Sequence, residues 1–296
     1  MNRLTLVFAV LCIAASFPVA AQNNVPPDIR EMARRVNMPV VLTVPGMADV
    51  KVVENLKYSD ANDANLLMDV YVPPNIAKTE KRPVVIFIHG GARSEWTPKD
   101  WGVYKTWGRL IAASGFVGVT FTHRLEYPAR SLETGAKDVT DAIKYFRMHA
   151  DKYNADRDRI SLIGYSAAGP MLTLGMRGET PYIKCLVAFY AFMDVQRAEH
   201  RKTEGAAALT TFSAVTYLEK NPQLLPPMFI ARAGRDEIPM MNDSIDRFIN
   251  LAISKNIELS FANHTNGVHG LDNQNDDARS REIIQNVIAF LKTNLK

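Results

Sequence analysis

The sequence has few of the residues that would cross-link a small fold. Only 2 of its 296 residues are cysteine. Cys12 lies in an N-terminal stretch that we expect to be removed, which leaves Cys185 without an intrachain partner. A disulfide scaffold is therefore excluded. The fold must depend on an apolar core, and a chain of this length can bury one.

No charge of one sign dominates. Lys and Arg total 35, Asp and Glu total 31, and the basic residues form no run or stripe, so there is no electrostatic case for nucleic-acid binding. With 47% hydrophobic and 22% charged residues, the composition is close to that of ordinary globular proteins. Collagen, coiled coil, low-complexity disorder and a polytopic membrane protein are poor fits.

An apolar run precedes the rest of the chain. Arg3 is followed by apolar residues from Leu4 to Ala15, and small residues end the stretch at Ala21. This order is typical of a secretory signal peptide and is too short for a membrane-spanning helix. We expect residues 1–21 to direct export to the periplasm or exterior, leaving no membrane association after cleavage. The alternative is a buried N-terminal helix.

The remaining chain alternates between strand and helix signals. Residues 22–49 form a lead-in segment, and an expected hairpin opens a domain over residues 50–296. Apolar, β-branched runs typical of buried parallel strands then alternate with helical stripes, which predicts an α/β fold with a mostly parallel sheet and helices on both faces. Residues 194–227 break the rhythm and predict a small cap insertion. The expected strands are Val50–Tyr58, Leu66–Val72, Val84–Ile88, Phe116–Thr122, Arg159–Ile163, Ile183–Tyr190, Met228–Ala233 and Ile257–Ala262.

One of these strands ends in a serine motif. Gly164-Tyr165-Ser166-Ala167-Ala168-Gly169 follows Ile163 and precedes a helical stretch. A serine on a tight strand-to-helix turn has an exposed hydroxyl, and the next amide can donate to an oxyanion. The pattern departs from G-x-S-x-G because Ala168 occupies the second glycine position. A simple helix-entry serine is the alternative interpretation.

Three other segments follow strands in the same way. His89-Gly90-Gly91-Ala92 follows Ile88, Asp236 follows Ala233 and Gly234, and His269-Gly270 follows the last expected strand. Since parallel strands direct their carboxyl ends to one edge of a sheet, Ser166, Asp236 and His269 can converge there.

Together these motifs resemble those of the α/β-hydrolase superfamily, of the secreted bacterial carboxylesterase and lipase type that includes feruloyl and acetyl esterases. The resemblance spans roughly residues 50–296. It implies a serine hydrolase in which Ser166 is the nucleophile, His269 the general base and Asp236 the group that orients the imidazole. Amides of Gly91, Ala92 and Ala167 would form the oxyanion hole. The resemblance implies no cofactor and no metal.

Several of these positions have rivals. Glu237 and Asp243 compete with Asp236, and His264 competes with His269. Histidines at 89 and 123 are expected to order loops rather than to react.

An aromatic cluster follows the oxyanion loop. Trp96, Trp101 and Tyr165 are predicted to contact the substrate, whereas Trp107 is expected on the buried face of a helix. The favoured function is hydrolysis of a small-molecule or polysaccharide-linked ester. An amidase such as an arylformamidase and a non-catalytic binding protein of the same fold are the alternatives.

Overall fold

The computed structural model describes residues 27–77, 79–93, 95–125, 131–198 and 203–296. The predicted signal peptide, residues 1–21, lies outside these ranges. Within them, the strands form one eight-stranded sheet in the order β1-β2-β4-β3-β5-β6-β7-β8. The strands are β1 (Lys51–Lys57), β2 (Leu67–Val72), β3 (Arg82–Ile88), β4 (Val117–Phe121), β5 (Ala155–Tyr165), β6 (Ile183–Phe189), β7 (Met228–Ala233) and β8 (Ser260–His264).

The sheet is antiparallel at one side and parallel elsewhere. β1 pairs with β2 and β2 with β4 in antiparallel fashion, while β3 to β8 pair in parallel. The expected hairpin and the mostly parallel sheet are thus confirmed. The carboxyl ends of β3, β5, β7 and β8, which precede the four motifs, share one edge.

Helices cover both faces of this sheet, as expected for strands that are apolar on both sides. Their bounds are α1 (Pro27–Asn37), α2 (Gly102–Ala113), α3 (Leu132–His149), α4 (Ala206–Thr211), α5 (Ala214–Lys220), α6 (Met241–Ser254), α7 (Leu271–Gln274) and α8 (Ala278–Asn294), with a ten-residue 3₁₀ helix at Ser166–Gly175. Among the described residues, no helix combines the length and apolar character needed to cross a bilayer.

The core has one large cluster on each face. Phe146 of α3 and Phe248 of α6 pack on one side of the sheet, while Trp107 of α2 and Val287 of α8 pack on the other. All four are at most 1% exposed. Burying each such side chain fully contributes about 1.5–3 kcal/mol or more to the hydrophobic driving force.

Two expectations about strand and helix positions are wrong. The apolar run at Ile257–Ala262 predicts a strand that begins too early, because the Ile257 amide closes a turn by donating to Ala252 O (2.9 Å) and β8 starts only at Ser260. His264 therefore ends the strand rather than lying in the following loop. The helical spacing of Ile245, Phe248, Ala252 and Ile253 predicts that all four face the core, but Ile253 is 70% exposed.

The segment expected to be an insertion contains α4 and α5. α5 packs against α6 and against the 3₁₀ helix that begins at Ser166. Asp194 is 3% exposed and forms an ion pair with Arg247 of α6, and its Oδ1 accepts a hydrogen bond from Ser213. These contacts fix the start of the segment to the α6 side of the sheet.

Candidate active site

Ser166 is the first residue beyond β5 and has a strained backbone. Its φ is 53°, which is uncommon for a residue with a side chain. The sharp change from extended Tyr165 to the 3₁₀ helix leaves Ser166 and Ala167 partly exposed, while the residues on either side are buried. Strain of this kind is typical of a nucleophile held out of the sheet.

The glycine that allows the turn to pack is Gly169. A Cβ there would lie 2.0 Å from Phe192 O, so no side chain can be accommodated. Ala168, by contrast, is fully buried without displacing the turn. The departure from G-x-S-x-G is therefore compensated by the following glycine, which takes the position of closest backbone approach.

The loop after β3 lies directly against the serine. A Cβ on Gly90 would meet Ser166 Cβ at 2.9 Å and Ser166 Oγ at 3.5 Å. The Gly90 amide donates to the Tyr104 hydroxyl (3.2 Å) and is therefore already engaged. The amides of Gly91, Ala92 and Ala167 remain the predicted donors to an oxyanion. The contact of Gly90 with Ser166 places the loop that carries Gly91 and Ala92 beside the Ser166 hydroxyl.

Two buried histidines hold this loop to the end of β4. Their rings stack at 3.7 Å. The His123 amide donates to His89 Nε2 (3.1 Å), and His123 Nε2 lies 3.0 Å from His89 O, which it can reach only as a donor. Burial lowers the pKa of His89 well below its ordinary value and lowers that of His123 to about 3. Both rings are neutral at physiological pH and order the loop, as the sequence predicts.

The expected acid and base are paired. His269 Nδ1 lies 2.8 Å from Asp236 Oδ2, and the other carboxylate oxygen accepts the Ile238 amide at 2.9 Å. The side chain of Asp236 is fully buried, whereas that of His269 is 28% exposed. Donation from Nδ1 to the carboxylate selects the tautomer in which Nε2 is free to accept a proton.

Backbone hydrogen bonds lock the two loops that carry this pair. The Gly234 amide donates to His264 O, and the Arg235 amide donates to Gly267 O, each at 2.8 Å. A Cβ on Gly234 would lie 2.5 Å from Thr265 O, and one on Gly267 would lie 2.7 Å from the His264 ring. Both glycines are thus required for the loops to approach each other.

The rival acids and histidine occupy other positions. His264 is 4% exposed, and its Nε2 contacts both carboxylate oxygens of Asp277 at 3.0 Å. Asp277 in turn caps α8 by accepting the Ser280 amide at 2.8 Å. Glu237 and Asp243 are exposed. The geometry therefore associates His269 with Asp236 and gives His264 a structural role.

Ser166 and His269 flank the same short segment after β6. The Phe192 amide donates to Ser166 O at 3.0 Å, and the Tyr190 ring lies 4.7 Å from the His269 ring. Among the described contacts, no hydrogen bond joins Ser166 Oγ to the imidazole. Such bonds often tighten only when a substrate binds.

The structure corrects part of the predicted substrate surface. Tyr165 is 1% exposed and stacks on Phe189 at 5.3 Å, and Trp101 is 5% exposed and stacks on Tyr104 at 6.1 Å. Tyr165 ends β5 and Trp101 immediately precedes α2. Both side chains belong to the aromatic core beneath the site, so they do not form an open wall. Trp96 is partly exposed and remains a predicted contact.

Two residues connected to the imidazole were not predicted from the sequence. Tyr190, with φ 36°, presents its ring edge-on to His269. Asp272 is completely buried and accepts hydrogen bonds from Tyr190 and Trp107. Tyr190 follows the carboxyl end of β6, so the rule that located Ser166 could have identified it. Asp272 lies within an ordinary polar stretch and gives no such signal.

The described residues contain no group of three or more His, Cys, Asp or Glu side chains arranged to hold a metal ion. The groups available for chemistry at this edge of the sheet are the hydroxyl of Ser166, whose backbone is strained, an imidazole oriented by a carboxylate, and backbone amides.

The sheet topology and the placement of these motifs define an α/β hydrolase. The chain belongs to the BD-FAE family, whose profile matches residues 68–248, more than half of its length. It is similar to esterase LipQ of Mycobacterium tuberculosis, at 24% identity over 80% of this chain and 61% of that protein. It also matches the non-reducing polyketide synthase ausA of Aspergillus calidoustus, at 29% identity over 48% of this chain, but spans only 6% of that protein.

Solved structures share the fold. A truncated carbohydrate esterase from gut microbiota superimposes with a TM-score of 0.66 and 16% identity, covering 82% of this chain and 96% of the other. Esterase B of Lactobacillus rhamnosis superimposes with a TM-score of 0.68 and 14% identity, covering 93% of this chain and 94% of the other.

Proposed function

We propose that the protein is a serine hydrolase that cleaves carboxylic esters through Ser166, His269 and Asp236. The observation that carries this proposal is the 2.8 Å contact between His269 Nδ1 and the buried Asp236 carboxylate. It lies at the sheet edge that also exposes Ser166, the residue whose backbone is strained. Membership of the BD-FAE family and similarity to proteins named as esterases support the same reaction class.

The proposed reaction has two halves. Ser166 Oγ attacks the ester carbonyl while His269 Nε2 accepts the hydroxyl proton, and amides of Gly91, Ala92 and Ala167 stabilise the oxyanion. Collapse of the tetrahedral intermediate breaks the bond to the alcohol, which leaves with the proton from Nε2. Water then attacks the acyl-enzyme and loses a proton to His269 Nε2. The second tetrahedral intermediate breaks the bond between Ser166 Oγ and the acyl carbon, the carboxylic acid leaves, and Nε2 returns the proton to Oγ. Asp236 holds the imidazole in the productive tautomer throughout.

The substrate class follows from the relatives and the site. Proteins similar to this chain are named as esterases, one of them a carbohydrate esterase. We therefore propose a small-molecule or polysaccharide-linked carboxylic ester. Export is part of the proposal, and N-terminal sequencing of the mature protein is expected to begin near Gln22 if residues 1–21 are a cleaved signal peptide.

A fluorophosphonate probe tests the nucleophile. We expect covalent labelling of the native protein at Ser166, loss of labelling in Ser166→Ala, and no labelling of denatured protein. Asp236→Asn is expected to lower kcat by on the order of 10⁴-fold while preserving the fold, because it stabilises the wrong imidazole tautomer. A panel of nitrophenyl esters from acetate to decanoate, with feruloyl and acetylated sugar esters, would identify the acyl preference. Absence of both labelling and hydrolysis would instead indicate a binding protein.

A further inference from the structure

A second buried carboxylate is connected to the imidazole through Tyr190. Asp272 is 0% exposed and follows His269 by three residues, at the second position of α7. Its Oδ1 accepts the Tyr190 hydroxyl and its Oδ2 accepts Trp107 Nε1, each at 2.7 Å. Its backbone carbonyl also accepts the Val41 amide at 2.8 Å. Burial of a carboxylate carries a large desolvation free energy, which its two donated hydrogen bonds offset. The reaction steps above do not use this carboxylate.

Tyr190 connects this carboxylate to the base. Its ring centroid lies 4.7 Å from that of His269, at an interplanar angle of 61°. The residue has a φ of 36°, in a region that a bulky side chain rarely occupies. Its amide is fixed to Ala231 O at 2.7 Å, and its hydroxyl is fixed to Asp272. Bonds at both ends of the residue therefore hold the strained backbone and set the position of the ring.

We propose that Asp272 is a positioning residue for His269. Acting through Tyr190, it fixes the aromatic ring against the imidazole, and its negative charge stabilises the imidazolium that forms during the reaction. The proposal rests on the proposed function, because it requires His269 to be the general base.

The electrostatic part of the proposal depends on which charges face the imidazole. Asp236 contacts Nδ1 from the loop after β7, and Tyr190 faces the ring from the end of β6. Asp272, on α7, accepts the hydroxyl hydrogen bond of that tyrosine. Arg235, beside the acid, is exposed. Burial raises the pKa of Asp272, whereas the donated hydrogen bonds from Trp107 and Tyr190 and the nearby His269 oppose this increase. Both donors stabilise the ionised carboxylate.

Three variants in the full-length mature protein test the inference. Asp272→Asn keeps the shape but removes the charge and one acceptor. Tyr190→Phe keeps the ring and the carboxylate but removes the link between them. Val287→Ala truncates a fully buried, apolar side chain of α8 in the same core cluster as Trp107, and it removes none of the hydrogen bonds to Asp272. Val287→Ala is therefore the matched control for a loss of stability alone.

We expect Asp272→Asn and Tyr190→Phe to lower kcat on a nitrophenyl ester by on the order of 10-fold, with KM within about twofold of wild type. In Asp272→Asn the acidic limb of kcat/KM is expected to move to lower pH, by on the order of half a unit, because loss of a negative charge favours the neutral imidazole. The double variant should be no slower than the slower single variant. Val287→Ala should lower the urea midpoint while leaving kcat and the pH profile near wild type.

Two outcomes would overturn the inference. One is a pH profile and kcat in both site variants that match wild type. The other is a Val287→Ala variant that lowers kcat and shifts the profile as much as Asp272→Asn, since the losses in the site variants would then reflect stability alone. If Asp272→Asn does not fold, Tyr190→Phe alone decides the question by its kcat. Failure of the proposed function is distinguished separately, because the wild-type protein would then neither hydrolyse the ester nor react with the probe at Ser166.

Discussion

Lowering the pH from 7.5 to 5 is expected to destabilise the fold through the two buried histidines that hold the oxyanion loop. His89 and His123 are 1% and 4% exposed, and each uses both ring nitrogens in the contacts around the loop. Burial lowers the pKa of both, that of His123 to about 3. The folded protein therefore resists protonation that the unfolded chain accepts.

The sign and size follow from proton linkage. Because the folded pKa lies below the unfolded one, stability is fully present above about 6.5, the ordinary pKa of histidine, and is lost as the pH falls toward 3. With these values His123 alone costs about 2 kcal/mol at pH 5 relative to pH 7.5. His89 contributes with the same sign, and the stacked pair titrates as a coupled unit.

Urea unfolding followed by tryptophan fluorescence at pH 7.5, 6 and 5 measures this loss. His123→Gln is the informative variant, since its amide can replace Nε2 as the donor to His89 O but does not titrate. We expect the decrease in unfolding free energy between pH 7.5 and 5 to be smaller in the variant by about 2 kcal/mol. Equal pH dependence in the two proteins would refute the assignment of the loss to His123.

Three further substitutions test packing around the site by urea unfolding and ester hydrolysis. Gly169→Ala should destabilise by about 3 kcal/mol or prevent folding, because its Cβ would meet Phe192 O at 2.0 Å; near-wild-type stability would contradict this close approach. Asp277→Ala should cost about 1 kcal/mol as a lost helix cap yet retain kcat, and a large loss of kcat would return His264 to the list of candidate bases. Lys99→Met should cost about 3–5 kcal/mol, since the Lys99 side chain is 2% exposed and pairs with a buried carboxylate at 3.2 Å; an unchanged urea midpoint would count against it.

The sheet could be predicted because a strand that is buried on both faces consists of consecutive apolar residues. In β3, Val84 to Ile88 are all buried, and this gives the uninterrupted apolar run that indicates a parallel strand. β8 gave a weaker signal. Only Ala262 and His264 of its five residues are buried. The apolar Ile257, three residues before β8, therefore led to a predicted strand that starts within the preceding turn.

The convergence of Asp236 and His269 was also predictable, since it needs only parallel strands with a common edge. The choice between His269 and His264 was not fixed by local sequence. It depends on Asp277, which caps α8 and engages His264 from an element folded back against β8. A partner supplied by tertiary packing leaves no periodic pattern near the histidine, so only the family resemblance favoured His269 over His264.

The aromatic residues show the same limit and connect the two parts of the site. Tyr165 was predicted to contact the substrate, but it contacts Tyr104 at 5.4 Å and Tyr190 at 6.0 Å within a buried layer. At one end of this layer the Tyr104 hydroxyl accepts the Gly90 amide of the oxyanion loop, and at the other Tyr190 meets the His269 ring at 4.7 Å. Both halves of the proposed machinery therefore rest on one packed element. Because close-packed interiors resist small displacements, this buried aromatic layer sets the positions of the oxyanion loop and of the His269 imidazole.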